Sequence, residues 1–259
     1  MSSTPKVVFI VPYRDRDQQL QFFHRHMSYV LEEMRPNDCA VHFVHQQDDR
    51  SFNRGAIKNI GFLFVKSKYP DSYQNITLVF NDIDTMPYTK NFLNYQTIHG
   101  KIKHFYGFTF ALGGIVSITA GDFEKLNGFP NFWGWGYEDN LLNKRALANG
   151  FIIDRSQFYD IADKNIMHFH NGVLQNVNHQ DNYRYVNNTP EGLNSIQNLQ
   201  YSVEPLSITK NAVEFSIINV TKFSTGLEEN KQFTKSIDLR VIGNSFAKRI
   251  SKKMSMNYF

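Results

Sequence analysis

The chain has 259 residues, a length that favours one large domain, or one domain with an appendage, over a disulfide-stapled scaffold or two independent domains. With 41% hydrophobic, 15% aromatic and 20% charged residues it falls outside the disordered, collagenous and coiled-coil classes, and the single cysteine, Cys39, excludes an internal disulfide. The net charge of +4 gathers at the end: residues 239–259 carry five bases and no acids, so the body is near neutral and no nucleic-acid partner is expected.

In chain order, residues 7–11 (Val-Val-Phe-Ile-Val) form a short apolar run that reads as a buried strand ending at Pro12. Asp15 is placed to cap a following helix, whose apolar face is Phe23, Met27, Val30, Leu31 and Met34, before Pro36-Asn37 stops it. Residues 40–45 read as a second strand. Asn53 then caps a second helix with Ile57, Ile60 and Phe64 on one face, and residues 76–80 form a third strand that runs into Asp82-Ile83-Asp84. The βαβαβ order predicts an α/β fold with a mostly parallel sheet, helices on both faces, and ligands at the carboxyl ends of the strands. Beyond it, the pattern predicts a strand over 115–119, a short helix over 121–127 and a Gly/Trp loop over 131–137. A helix over 138–149 closed by Gly150 follows, then paired strands within 201–220. Residues from about Thr225 lack periodicity, which sets a domain over 1–222 and a basic extension over 223–259.

No apolar run approaches the roughly 20 residues a transmembrane helix needs. Residues 1–6 lack a basic and apolar leader pattern, so cytoplasmic residence is the expectation.

Three clusters can carry chemistry. Asp82 and Asp84, at i and i+2 after a buried strand, can share one site, holding a divalent cation and a hydroxylated ligand. His168 and His170 share a face if their segment is extended, with Met167 beside them. A set of one carboxylate and two imidazoles suits Mn²⁺ better than Ca²⁺. The stretch from Asn127 to Asn140 holds both tryptophans, Trp133 and Trp135, among glycines and beside Glu138 and Asp139. It reads either as an aromatic wall for a sugar with a carboxylate base, or as core anchors beside acids that favour a helix N-terminus.

Taken in order, Val11-Pro12-Tyr13-Arg14-Asp15-Arg16, Phe52-Asn53-Arg54-Gly55, Asp82-Ile83-Asp84, Gly113-Gly114 and the 127–139 stretch resemble the inverting β-1,4-galactosyltransferase family. With Glu191-Gly-Leu-Asn-Ser195 and the strands after it, the resemblance runs from about Lys6 to Val220. It implies a GT-A fold with a Rossmann-like sheet, a UDP-sugar donor, a carbohydrate or glycoconjugate acceptor, and Mn²⁺. By the same resemblance Pro12, Tyr13, Arg14 and Arg16 line the uridine and diphosphate site, with Phe52 and Arg54 beside them and Asp82-Ile83-Asp84 against the nucleotide sugar. Asp84 binds Mn²⁺ with His170 and either His168 or Met167, imidazole being the better match. Asp139 is the general base, with Glu138 as its alternate, and Ala111, Gly113, Gly114, Trp135 and Gly136 shape the sugar and acceptor pocket.

The chain departs from the family pattern at Tyr137, where relatives often have glycine, and at Asn140, which replaces a third acid of the acceptor site. Ala111 stands where galactose-specific members carry tyrosine, which implies room for the acetamido group of UDP-GalNAc or UDP-GlcNAc. The expected function is Mn²⁺-dependent transfer of a hexose or N-acetylhexosamine from a UDP-sugar to an acceptor hydroxyl. A catalytically silent UDP-sugar or carbohydrate binder on the same fold is the alternative.

Overall fold

The computed structural model describes residues 4–169, 174–208, 213–229 and 234–238. The first half runs β1 (Val7–Tyr13), α1 (Asp17–Val30), β2 (Cys39–Gln46), α2 (Arg54–Lys68), β3 (Thr77–Asn81), β4 (Thr85–Pro87), β5 (Lys101–Gly107), β6 (Ile115–Thr119) and α3 (Ala120–Lys125). The second half runs α4 (Glu138–Ala148), β7 (Ile152–Asp154), β8 (Tyr159–Asp160), β9 (Ile166–His168), β10 (Leu174–Asn178), α5 (His179–Val186), β11 (Gln197–Ile208), β12 (Glu214–Ser224) and β13 (Thr234–Asp238).

The central sheet has the order β11-β12-β2-β1-β3-β6-β5-β7, with β8 also on β5. Strands β12, β2, β1 and β3 are parallel, as the βαβαβ order requires, whereas β6 is antiparallel to both β3 and β5, and β11 to β12. The sheet is therefore mixed outside its parallel centre.

Alternation along the strands divides the core. Val8, Ile10, Val44, Leu78 and Phe80 face one layer, built with Ala56, Ile57, Ile60 and Phe64 of α2, Phe123 of α3 and Leu142 of α4. Val7, Phe9, Val11, Val41, Phe43 and Val79 face the other, under Leu20, Phe23, Met27 and Val30 of α1. Strands buried on both faces explain the continuous apolar runs.

Asn53 caps α2 as expected, its side chain accepting from the Ala56 amide. Asp15 does not cap α1: it stands at φ 51°, and Arg16 takes the capping position without a side-chain bond. The boundary expected at 222/223 falls inside β12. Beyond it the Leu227 carbonyl accepts a hydrogen bond from Trp133 Nε1 at 2.7 Å, Glu229 accepts from the Ser51 amide, and β13 pairs antiparallel with β10, so the described residues past Thr225 bond to earlier parts of the chain. Among the described residues no helix is long and apolar enough to cross a membrane.

Candidate active site

The carboxyl ends of β1, β2 and β3 open into a cavity of about 500 Å³. Its lining includes every residue expected at the donor: Pro12, Tyr13, Arg14, Arg16, Phe52, Arg54, Asp82, Ile83, Asp84 and Trp135. Asp15, Asp49, Arg50, Ser51, Gly134 and Glu229 complete it and were not foreseen there, although Asp15 stands within the first motif and Asp49-Arg50-Ser51 directly precedes the Phe52 motif.

Each side chain is held by its own element. Tyr13, the last residue of β1, is 4% exposed, and one face of its ring stacks on His45 of β2 at 4.4 Å, so that face is closed to a base. Arg14 donates to the Arg50 carbonyl. Trp133 and Phe223 stack with centroids 5.6 Å apart, and the Arg50 guanidinium lies 4.4 Å from each centroid and bonds Asp48. The two tryptophans divide between the two readings of their loop: Trp133 is a core anchor at 2% exposure, and Trp135, 41% exposed, lines the cavity.

Arg54, in the first turn of α2, joins three carboxylates. Its Nη2 donates to Asp82 Oδ1 at 2.6 Å and lies 3.7 Å from Asp139 Oδ2, while Nη1 lies 3.5 Å from Glu138 Oε1. Lys58, one turn further along α2, donates to Asp139 Oδ1 at 2.8 Å. The sequence reading missed Lys58. Its i, i+4 spacing from Arg54 was the available signal, because that spacing puts two cations on one helix face.

The two candidate bases differ. Burial pushes the Asp139 carboxyl up, but Lys58 and Arg54 outweigh it and hold the group below its ordinary value. The Glu138 carboxyl is pushed up by burial and by Asp139, and its Oε2 is buried without a partner. Glu138 is thus walled in, and Asp139 is the more exposed acid of the two.

Gly113 abuts the Asp139 side chain, and the Leu112 amide donates to the Asp139 carbonyl at 3.0 Å. Gly114, at φ 74°, packs on the Tyr106 carbonyl, and its own carbonyl accepts from the Asp82 amide. Ala111 is buried in a turn bonded to Phe108, and Gly136, at φ 102°, has open space beside it. None of these four lines the cavity; they stand on its Asp139 side. Tyr137 holds φ 69° at the start of α4, a left-handed conformation that glycine adopts without cost.

Asp84 and His168 meet through β4 and β9, where Thr85 pairs with His168 and the Phe169 amide bonds the Asp84 carbonyl. His168 Nε2 lies 4.0 Å from Asp84 Oδ1, near enough for one cation to bridge them. The Tyr106 hydroxyl, 2.9 Å from His168 Nδ1, can accept its proton and leave the Nε2 lone pair facing Asp84. Burial, then the nearby Asp82 charge, push the Asp84 carboxyl up to about 6 against the pull of Arg54 and Arg16; a divalent cation would relieve this crowding. These residues fit a hard or borderline cation. Met167, the alternative ligand, alternates with His168 along β9 and is partly buried against the core. His170 lies outside the described residues, and among those described no cluster of three or more ligands forms.

Comparison with known proteins gives the same family that the motifs suggest. A family model described as the N-terminal region of glycosyl transferase group 7 matches residues 2–96, and one described as the N-terminal domain of galactosyltransferase matches residues 95–171. The chain is 29% identical over 231 residues to β-1,4-galactosyltransferase 5 of Mus musculus, covering 83% of this chain and 56% of the relative. It is 31% identical over 204 residues to β-1,4-galactosyltransferase 6 of Homo sapiens, covering 74% and 52%. The chain thus spans about half the length of the curated relatives it matches. The catalytic domain of Drosophila β-1,4-galactosyltransferase 7, solved with xylobiose, superposes with a TM-score of 0.68 at 22% identity over 88% of this chain and 97% of that one. A mutant of that enzyme, solved with manganese, UDP-Gal and xylobiose, gives 0.63. The fold is therefore GT-A, and the two adjoining family matches, over a cavity built from the family's motifs in order, make this chain a member of the β-1,4-galactosyltransferase family of glycosyl transferase group 7.

Proposed function

We propose that the protein is a metal-dependent, inverting glycosyltransferase that moves a hexose or N-acetylhexosamine from a UDP-sugar to a hydroxyl of a carbohydrate acceptor. One observation carries this reading: Asp82, on the cavity wall, and Asp139, beyond it, share a single Arg54 nitrogen. The donor cavity and the candidate base are thereby parts of one site.

Arg14 and Arg16 bind the donor diphosphate by charge and hydrogen bonding, and Trp135 offers a flat apolar face to a sugar ring. Asp139 takes the proton of the acceptor hydroxyl as its oxygen attacks the anomeric carbon, and the bond from that carbon to the diphosphate oxygen breaks to release UDP. Asp84 and His168, with His170 by family resemblance, would hold Mn²⁺, which supplies charge neutralisation at the departing diphosphate. A low Asp139 pKa makes a weak base, which suffices when proton transfer lags behind cleavage of the donor bond.

For the donor sugar, the small Ala111 favours UDP-GalNAc or UDP-GlcNAc used at least as well as UDP-Gal. The expected effect of Ala111→Tyr is a shift towards UDP-Gal, read as kcat/KM for the three donors in both variants. The alternative is that Phe108, Phe110 or Leu112 fills the space beside Ala111 and preserves galactose selectivity. Strong wild-type preference for UDP-Gal, unchanged by the substitution, would refute the steric account.

The test of the activity is a UDP-sugar screen with Mn²⁺, scoring transfer and slow donor hydrolysis. EDTA should abolish both and Mn²⁺ restore them, while Asp84→Ala stays inactive at ordinary Mn²⁺ levels. Asp139→Asn should leave UDP binding nearly intact and lower turnover by about 10²–10⁴-fold. The pairing of Asp139 with Lys58 favours one second reading, a donor-binding protein without turnover. Tight UDP binding with neither transfer nor hydrolysis would establish it.

A further inference from the structure

Lys58 is 1% exposed, in the middle of a helix whose other buried residues are apolar or small, apart from Asn59. Lysine is seldom buried unless paired. Its Nζ lies 2.8 Å from Asp139 Oδ1 and 4.3 Å from the centre of the Phe129 ring, so the ammonium has one carboxylate partner and an aromatic face behind it. The second oxygen of that carboxylate, Oδ2, faces Arg54 at 3.7 Å and abuts Gly113, where any side chain would displace it. The two oxygens of Asp139 are therefore not equivalent: Oδ1 is anchored, and Oδ2 is turned towards the cavity-lining arginine.

Arg54 is shared among Asp82, Glu138 and Asp139, and it also lines the cavity where a diphosphate would compete for it. Lys58 does not line that cavity. We propose that Lys58 is the positioning residue of the base: it fixes Asp139 Oδ1, leaves Oδ2 to receive the acceptor proton, and compensates the carboxylate's charge independently of Arg54. This rests on the assignment of Asp139 as the base. The charged and titratable groups facing Asp139 are Lys58 and Arg54 from α2, His104 from β5 and Glu138 from α4. Burial pushes its carboxyl up, and among the opposing groups Lys58 pulls it down the most.

The experiment compares wild type, Lys58→Met, Lys58→Arg and Asp139→Asn, and the Lys58→Met/Asp139→Asn double variant. Without Lys58 the Asp139 pKa rises, so at saturating Mn²⁺, which keeps Asp84 ionised, the acidic limb of the kcat/KM profile should move up by about one pH unit or more, with kcat down about tenfold or more. UDP binding should stay within about twofold, because Lys58 stands outside the donor cavity. Lys58→Arg should keep the limb near its wild-type position. A second readout needs no activity: Lys58→Met should lower the Tm in the wild-type background and hardly at all beside Asp139→Asn, as a double-mutant cycle on a direct pair requires. If Lys58→Met does not fold, Lys58→Gln, which retains a donor without the charge, should show the same shift of the acidic limb.

An unmoved acidic limb in a folded neutral variant, or equal Tm losses in both backgrounds, would overturn the proposal. Full turnover by Asp139→Asn would overturn the base assignment and this proposal together. An inactive Asp139→Asn with an unmoved limb in Lys58→Met would overturn this proposal alone.

Discussion

A methyl group at position 113 would collide with Oδ2 and Cγ of Asp139 and with no main-chain atom outside the neighbouring residues. The side chain can yield only by straining its bond to Lys58, so Gly113→Ala should fold with a Tm lowered no further than in Lys58→Met, yet displace Asp139, the proposed base. The expected loss is about tenfold to a hundredfold in kcat, the order of effect that a misplacement near 1 Å produces. A Tm loss well beyond that of Lys58→Met would show that Gly113 serves packing instead. Single positions also show where sequence reading reached its limit. Asp84 and Asp139 were legible because their neighbours form a recognisable order. Lys58 was not: in an amphipathic helix a lysine reads as a solvated face, and only the packing of α4 against α2 makes it a buried partner.

Helix α2 holds the 127–133 loop through amides rather than apolar contact alone. Asn59 Nδ2 donates to the Phe129 carbonyl at 2.7 Å and to Asn131 Oδ1 at 2.8 Å, and Asn131 Nδ2 donates to Glu191 Oε1 and the Gly192 carbonyl, both at 2.8 Å. All three polar side chains are buried. Truncation at Asn131 leaves several of these groups unpaired away from water, so Asn131→Ala should cost about 2–4 kcal/mol in a denaturant titration. A loss under about 1 kcal/mol would mean that water replaces the lost partners. The network also joins Glu191 to a loop far from it in sequence: Asn53 and Asn59 donate to the carbonyls of Asn131 and Phe129, and Glu191 Oε1 accepts from the Asn131 side-chain amide.

Over the whole molecule, two buried histidines couple folding to pH. Burial, then the Lys68 charge, push His42 down to about 3, and burial, then Arg155, push His104 down to about 4 against the carbonyls of Gly113 and Tyr106. The unfolded chain takes up these protons near pH 6.5, while the folded chain resists until the lower values, so stability from this source falls as pH drops below 6.5. Asp84, raised to about 6, and Glu138, also raised, act in the opposite direction. The histidine contribution is therefore read as a difference. Between pH 6 and pH 4, His42→Gln should lose stability less steeply than wild type by about 1.4 kcal/mol per pH unit. Identical slopes would show that His42 charges freely in the folded state. The segment over 225–229 is also bonded to the body, since Leu227 and Glu229 brace Trp133 and Ser51 beside the cavity. A chain truncated after Ser224 should bind UDP more weakly and melt lower, and an unchanged Kd would return those residues to the status of an appendage.

The sequence by itself determined the parallel centre of the sheet, the cap of α2 and the family, and its motifs named ten of the residues that line the cavity, because apolar strand runs, capping chemistry and motif order are local properties of the chain. The short strands β4 and β9 went unread: three residues each are too few to show a period, yet their pairing brings His168 to Asp84. The division of labour between Trp133 and Trp135, the partial burial of Met167 against the core and the burial of Glu138 were decided only by tertiary structure. Each depends on which side of an element faces another element distant in sequence. A side chain's chemistry is written at its own position, whereas its burial and its partners are set by whatever the rest of the chain packs against it.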